Sequence, residues 1–138
     1  MTRTAAIAIA PIFALLALCG SARAAGVDLL LVLAADVSRS IDAEEFNLQR
    51  RGYAAALTDP RVLRAIAGGA HRAIALCFIE WAGADEQNIV VDWSVIHDEE
   101  GAGGIAAAML AAPRSFLGRT SISAAIDFAR ARFAAVSY

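Results

Sequence analysis

Residues 27–35 read Val-Asp-Leu-Leu-Leu-Val-Leu-Ala-Ala, and the run then breaks into Asp36-Val37-Ser38-Arg39-Ser40. After Asp28 every position is apolar, so no face is left for solvent. A strand of this kind must be covered on both sides, as a parallel strand in an α/β sheet is. Open α/β sheets place ligands in the crevice beyond the carboxyl ends of their strands. Asp36, Ser38 and Ser40 stand at that end, at alternate positions. One carboxylate and two hydroxyls form an oxygen set suited to a hard divalent cation such as Mg²⁺ or Mn²⁺.

The following residues alternate between helical and extended patterns. Asp42 and Glu45 have the spacing of a capping box, and Phe46, Tyr53, Ala54 and Leu57 fall on one side of the helix it would open. That helix should end before Thr58-Asp59-Pro60. Asp59 then caps a second, short helix with Pro60 at its first position and Gly68-Gly69 closing it. Residues 73–82, Ala-Ile-Ala-Leu-Cys-Phe-Ile-Glu-Trp-Ala, read as a second buried strand. A turn at Gly83-Ala84-Asp85 leads to a third strand over 89–96. Here Asp92 and Ser94 alternate with Val91, Trp93 and Val95, the pattern of an antiparallel edge strand paired as a hairpin. Residues 97–101, His-Asp-Glu-Glu-Gly, read as a solvated loop, and a short helix is expected over 105–112, stopped by Pro113. The last helix is the clearest periodic segment. Ile122, Ile126, Ala129, Phe133 and Val136 step by helical spacings and predict its buried face, with Thr120 and Ser121 as N-cap candidates. The pattern predicts an α/β chain: an open, Rossmann-like sheet of about three strands, two parallel and one antiparallel edge, with flanking helices.

Composition narrows the function classes. The 138 residues carry 12 basic and 14 acidic side chains, a net charge of −2, with no basic stripe. Nucleic acid and anionic lipid surfaces are therefore not expected partners. Hydrophobic content is 59%, and much of the excess lies at the N-terminus. Arg3, the apolar stretch 5–18 and the small-x-small site Ala22-Arg23-Ala24 read as a secretory signal peptide over 1–24. A spanning helix needs ~20 apolar residues, more than this run offers. The expectation is export to the periplasm or medium, with the domain occupying 25–138 and no membrane attachment after cleavage. Cys19 beside Gly20 leaves a lipid anchor as a lesser alternative. Cys77 would then be the single cysteine, read as a small buried apolar side chain and not a reactive thiol.

Asp36-x-Ser38-x-Ser40 resembles the Asp-x-Ser-x-Ser motif of the metal-ion-dependent adhesion site in von Willebrand factor A-like domains. The likeness extends to the apolar strand before it, the helix after it, the edge hairpin, and Gly118-Arg119-Thr120-Ser121-Ile122, which resembles that family's Gly-x-Thr segment at a helix start. Residues 36–42, 78–81 and 118–125 look most like an uncharacterised bacterial branch of these domains. The resemblance implies one divalent ion (Mg²⁺, Mn²⁺ or Ca²⁺), with Ser38, Ser40 and Thr120 as oxygen ligands and Asp36 as a charged ligand, direct or through water. It also implies a protein partner that lends the ion an acidic side chain. The family pattern continues with a further strand ending in an acidic residue before Gly. That element is not found before Tyr138, and the expectation is a C-terminally incomplete domain whose first strand lies at a sheet edge.

Other readings stay in view. A truncated gene product without independent activity is the first alternative. A hydrolase using the same cation is the second; it would need a base near Ser38, and only His71 and His97 are available. There is no Gly-x-Ser-x-Gly elbow, phosphate-binding glycine loop or Cys-x-x-Cys pair, so a binding module and not an enzyme is expected. Arg39 reads as a solvated loop tip or a rim contact with an acidic partner. Glu80 and Trp81 end the second strand on the crevice side of Asp36 and could line the site, but read more simply as a surface carboxylate beside a packed indole; Trp93 reads as edge-strand core.

Overall fold

The computed structural model describes residues 26–138; the signal peptide expected over 1–24, with Cys19, lies outside the described residues. Seven elements follow in order: β1 (Leu29–Asp36), α1 (Ala43–Leu57), α2 (Pro60–Ala67), β2 (Ile74–Trp81), β3 (Gln87–Ile96), α3 (Glu99–Ala111) and α4 (Ile122–Ala134). The sheet order is β1-β2-β3. β1 runs parallel to β2 in unbroken register from Leu29 opposite Ile74 to Asp36 opposite Trp81. β3 is antiparallel to β2, with the register shifting between Leu76 and Ile79. The architecture is the expected open α/β sheet, and β1 is an edge strand among the described residues.

β2 is central and every residue in it is buried. Strand side chains alternate between faces. Ile74, Leu76 and Phe78 join Leu57 of α1, Ile66 of α2 and Ile105 and Met109 of α3 in one core. The Tyr53 ring meets Phe78 edge-on, with centroids 5.4 Å apart. Cys77 points to the other face, where α4 brings Arg132 against it. The thiol is free and buried, and burial pushes its pKa up. Helices thus cover both faces of β2, which is why its sequence shows no polar alternation.

The helix ends follow local chemistry. Asp42 accepts the backbone N–H groups of Glu44 and Glu45, and Glu45 returns a bond to the Asp42 N–H, closing the capping box. Asp59 caps α2 through the Arg61 N–H at 2.7 Å, with Pro60 in the first turn.

Three expectations are corrected. β1 is not covered on both sides as its apolar run implies: only Ala35 is buried, Leu29 is 50% exposed and Ala34 is exposed, because no further strand lies on its outer edge among the described residues. α3 begins at Glu99, six residues before the expected start at 105. Asp98 caps it through the Gly101 N–H at 2.9 Å, so most of the expected loop 97–101 is the first turn of a helix. Two acidic residues there favour the positive end of the helix dipole, and Gly101, Gly103 and Gly104 do not break it. The predicted inner face of α4 is also wrong. Ile122 and Ile126 are 63% and 62% exposed, Phe133 is 40% exposed, and the buried residue is Ala125. The helix is fixed at its far end, where the Trp93 indole N–H donates to the Arg132 carbonyl and its ring meets Phe133 at a tilt, centroids 5.7 Å apart. Its small Ala125 faces inward, and the Ile122–Ile126 flank has no strand beneath it among the described residues.

Candidate functional site

The site is built where β1 ends. The Val37 N–H still pairs with the Trp81 carbonyl at 2.9 Å, so the chain leaves the sheet one residue beyond β1. It then turns at once. The Asp36 carboxylate accepts the Ser38 N–H at 2.7 Å, and the Ser38 carbonyl accepts the Ile41 N–H at 3.0 Å. Asp side chains commonly stabilise such turns by bonding their own backbone two residues on. The turn drives Ser38 inward, where it is fully buried, and leaves Arg39 and Ser40 exposed.

The segment between α3 and α4 closes over this turn. Its Gly118 carbonyl accepts the Arg39 N–H at 2.9 Å, and the Ser121 N–H donates to the Ala82 carbonyl at 2.7 Å. A Cβ at Gly118 would meet the Glu86 carboxylate, so a side chain there would require Glu86 to swing aside. Thr120 is thereby brought to Ser38: its hydroxyl donates to Ser38 Oγ at 2.9 Å. Ser38 Oγ also lies 3.2 Å from Ser40 Oγ. All four expected residues, Asp36, Ser38, Ser40 and Thr120, therefore meet at the carboxyl end of the sheet.

Sequence reasoning missed the side chains beneath the site. Arg114 reaches the turn from the α3–α4 segment. Its Nη2 donates to the carbonyls of Val37 (2.7 Å), Ser38 (2.8 Å) and Ile41 (2.8 Å), and its Nε to Val37 (3.2 Å) and Phe116 (3.0 Å). The Phe46 ring lies under the same guanidinium, 5.4 Å away. Glu80 is not the surface carboxylate the sequence suggested. It is fully buried and paired with the equally buried Arg50, whose Nη2 and Nε sit 2.6 and 2.9 Å from Glu80 Oε1. The other carboxylate oxygen accepts the Ser115 N–H at 2.9 Å, next to Arg114. No local sequence pattern announces a pair thirty residues apart; the only cue is a charged residue within an otherwise apolar strand.

Neither histidine reaches the turn. His71 precedes β2 and donates its backbone N–H to Asp28, just ahead of β1. His97 follows Ile96, which pairs with Ile74 at the same end. Both lie across the sheet from Ser38, a strand of eight residues away, or about 25 Å.

The donor set can be tested against an ion. Adjacent oxygens around an octahedral Mg²⁺ at 2.0–2.1 Å are about 2.9 Å apart. The Ser38–Thr120 and Ser38–Ser40 separations of 2.9 and 3.2 Å are of that size. Among the described residues no cluster of three or more His, Cys, Asp or Glu is placed to hold a metal. An ion here would rest on hydroxyls with Asp36 as the adjacent charge, which suits a hard cation and no soft one.

A family model for proteins of unknown function, DUF1194, matches residues 26–138. The chain belongs to this family. The DUF1194 match takes in all seven elements and all four oxygen-bearing residues. No curated protein and no solved structure matches the chain.

Proposed function

We propose that this DUF1194 chain is a divalent-cation-dependent protein-binding module of the von Willebrand factor A type, working outside the cytoplasm. The observation that carries the reading is the convergence of the Ser40 and Thr120 hydroxyls, from two segments about eighty residues apart, on the hydroxyl of the buried Ser38 at the carboxyl end of a parallel strand. Ser38, Ser40 and Thr120 would hold the ion, and Asp36 would supply charge directly or through water. When bound, Mg²⁺ or Mn²⁺ supplies an electrophilic centre for a carboxylate. Three neutral hydroxyls neutralise none of its charge, and Asp36 is already engaged by the Ser38 N–H. An acidic side chain on a partner protein would complete that balance. The exposed Arg39 stands beside the site to favour an acidic surface. The N-terminal stretch 1–24 supports export, and no helix among the described residues is long and apolar enough to cross a membrane.

The test is titration of the purified protein with Mg²⁺ and Mn²⁺, followed by thermal unfolding and by the electron paramagnetic resonance signal of free Mn²⁺. The wild type is expected to take up one ion and unfold at a higher temperature, because a ligand of the folded state alone stabilises it. Thr120→Val and Ser38→Ala should lose the uptake. A wild type indifferent to millimolar ion, or an Asp36→Ala variant that binds as well, would refute the reading.

A further inference from the structure

We propose that Arg114 is a positioning residue of the oxygen site, a guanidinium clamp that holds the Asp36–Ser40 turn in its ion-ready shape before any ion arrives. The inference rests on the cation-binding reading given above and adds how that site is held.

A turn that aims Ser38 Oγ and Ser40 Oγ at one point also turns its carbonyls the other way. The carbonyls of Val37, Ser38 and Ile41 all point at one guanidinium, which donates to each of them at 2.7–2.8 Å. The Ser38 carbonyl also accepts the Ile41 N–H, and Arg114 adds a charged donor to it and to the Val37 and Ile41 carbonyls, bonds stronger than neutral ones. It does so with the planar, multi-donor geometry that a lysine lacks. Three carbonyls over five residues can share one such donor only if the turn is tightly curled. The clamp therefore selects the curl that brings Ser38 and Ser40 together.

The clamp is itself held on three sides. Phe46 of α1 lies under the guanidinium. The Phe116 carbonyl accepts from Nε at 3.0 Å. The next residue, Ser115, is fastened through its N–H to Glu80, and through its hydroxyl to Asn88 at 3.0 Å. Glu80 is locked in turn by Arg50. Arg114 and Thr120 also belong to one segment between α3 and α4. The arm that shapes the first loop thus also delivers the third hydroxyl. Side chains that orient metal ligands are commonly worth 10–100-fold in affinity, and Arg114 fills that place here without touching a ligand oxygen.

The experiment compares wild type, Arg114→Met and Arg114→Lys by two readouts. Amide hydrogen exchange without metal reports the turn, and Mn²⁺ titration reports the site. In R114M the Val37 and Ser38 amides should lose at least about tenfold protection, while those of Leu76 and Phe78 in β2 keep theirs. Mn²⁺ affinity should fall by at least about tenfold, with R114K between R114M and the wild type in both. If R114M does not fold, R114K against wild type carries the same comparison. Unchanged Val37 and Ser38 protection overturns the clamp, and so does lost protection with Mn²⁺ affinity unchanged. If the wild type itself takes up no Mn²⁺, the cation reading fails, and exchange alone decides whether Arg114 shapes the turn.

Discussion

Arg50→Met would remove one half of the buried ion pair while keeping much of the side-chain volume. Glu80 has no exposed surface, and the variant would leave it only the Ser115 N–H. Breaking a buried pair by deleting one partner costs about 3–5 kcal/mol, because a buried charge is left uncompensated. The Met109 carbonyl would also lose its donor, adding ~1 kcal/mol. The guanidinium further lies 5.0 Å from the Phe46 ring and 5.4 Å from the Phe78 ring. A loss of about 5 kcal/mol is a large share of the 5–15 kcal/mol that stabilises an ordinary domain. Urea unfolding followed through Trp81 and Trp93 fluorescence should show a midpoint lowered by about 2–3 M at constant slope. The double variant Arg50→Met/Glu80→Met should recover most of the loss, since an apolar pair of similar volume escapes the desolvation penalty. Glu80→Gln alone should cost ~3 kcal/mol. A cost near zero for E80Q, as expected of a surface residue, or a double variant no more stable than R50M, would refute the buried-pair reasoning.

Acid should act through Asp28 and Asp59. The His71 backbone N–H donating to Asp28, and the Arg61 side chain bonded to Asp59, hold these carboxyls below their ordinary range. A carboxyl with a lowered folded pKa stabilises the fold above its unfolded pKa, and that contribution disappears as pH falls through the folded value. Melting temperatures between about pH 5 and pH 2 should therefore fall less steeply in Asp28→Asn and Asp59→Asn than in the wild type; parallel curves would count against both bonds. On α4, Ile126→Lys should change stability by less than about 0.5 kcal/mol, while Ala125→Leu should cost about 1–3 kcal/mol through overpacking. The reverse order in denaturant unfolding would restore the inner face that the periodicity suggested.

Strands were legible where the sequence is an unbroken apolar run, although only β2 is buried throughout. The runs at 27–35 and 73–82 have no polar alternation, and the described strands fall within one or two residues of them. Capped helices were equally legible, because Asp42 with Glu45 and Asp59 with Pro60 carry their signal in adjacent residues. The start of α3 was misjudged because the charged run 97–101 reads as a solvated loop, whereas the Asp98 cap and burial of Ala102, Ile105 and Met109 make it the first turn of a helix. The α4 face was misjudged because periodicity shows that a helix has an apolar side, not what lies against it. At the site, Asp36, Ser38, Ser40 and Thr120 were readable as motif residues. Arg114 was not, because its partners are carbonyls, which every residue has and no sequence pattern marks.

The two hydroxyl contacts of Ser38 differ in how they are made. Ser40 is two residues away and Thr120 is eighty-two. Closing the longer loop costs on the order of 3 kcal/mol more chain entropy than closing the shorter one. A peptide carrying Asp36 to Ser40 would bring only the nearer hydroxyl. The third oxygen arrives only when α3 has packed and the Ser121 N–H has found the Ala82 carbonyl. Oxygen clustering at Ser38 is therefore a readout of completed folding: a chain stalled before α4 docks would hold the whole Asp-x-Ser-x-Ser motif and still lack the site.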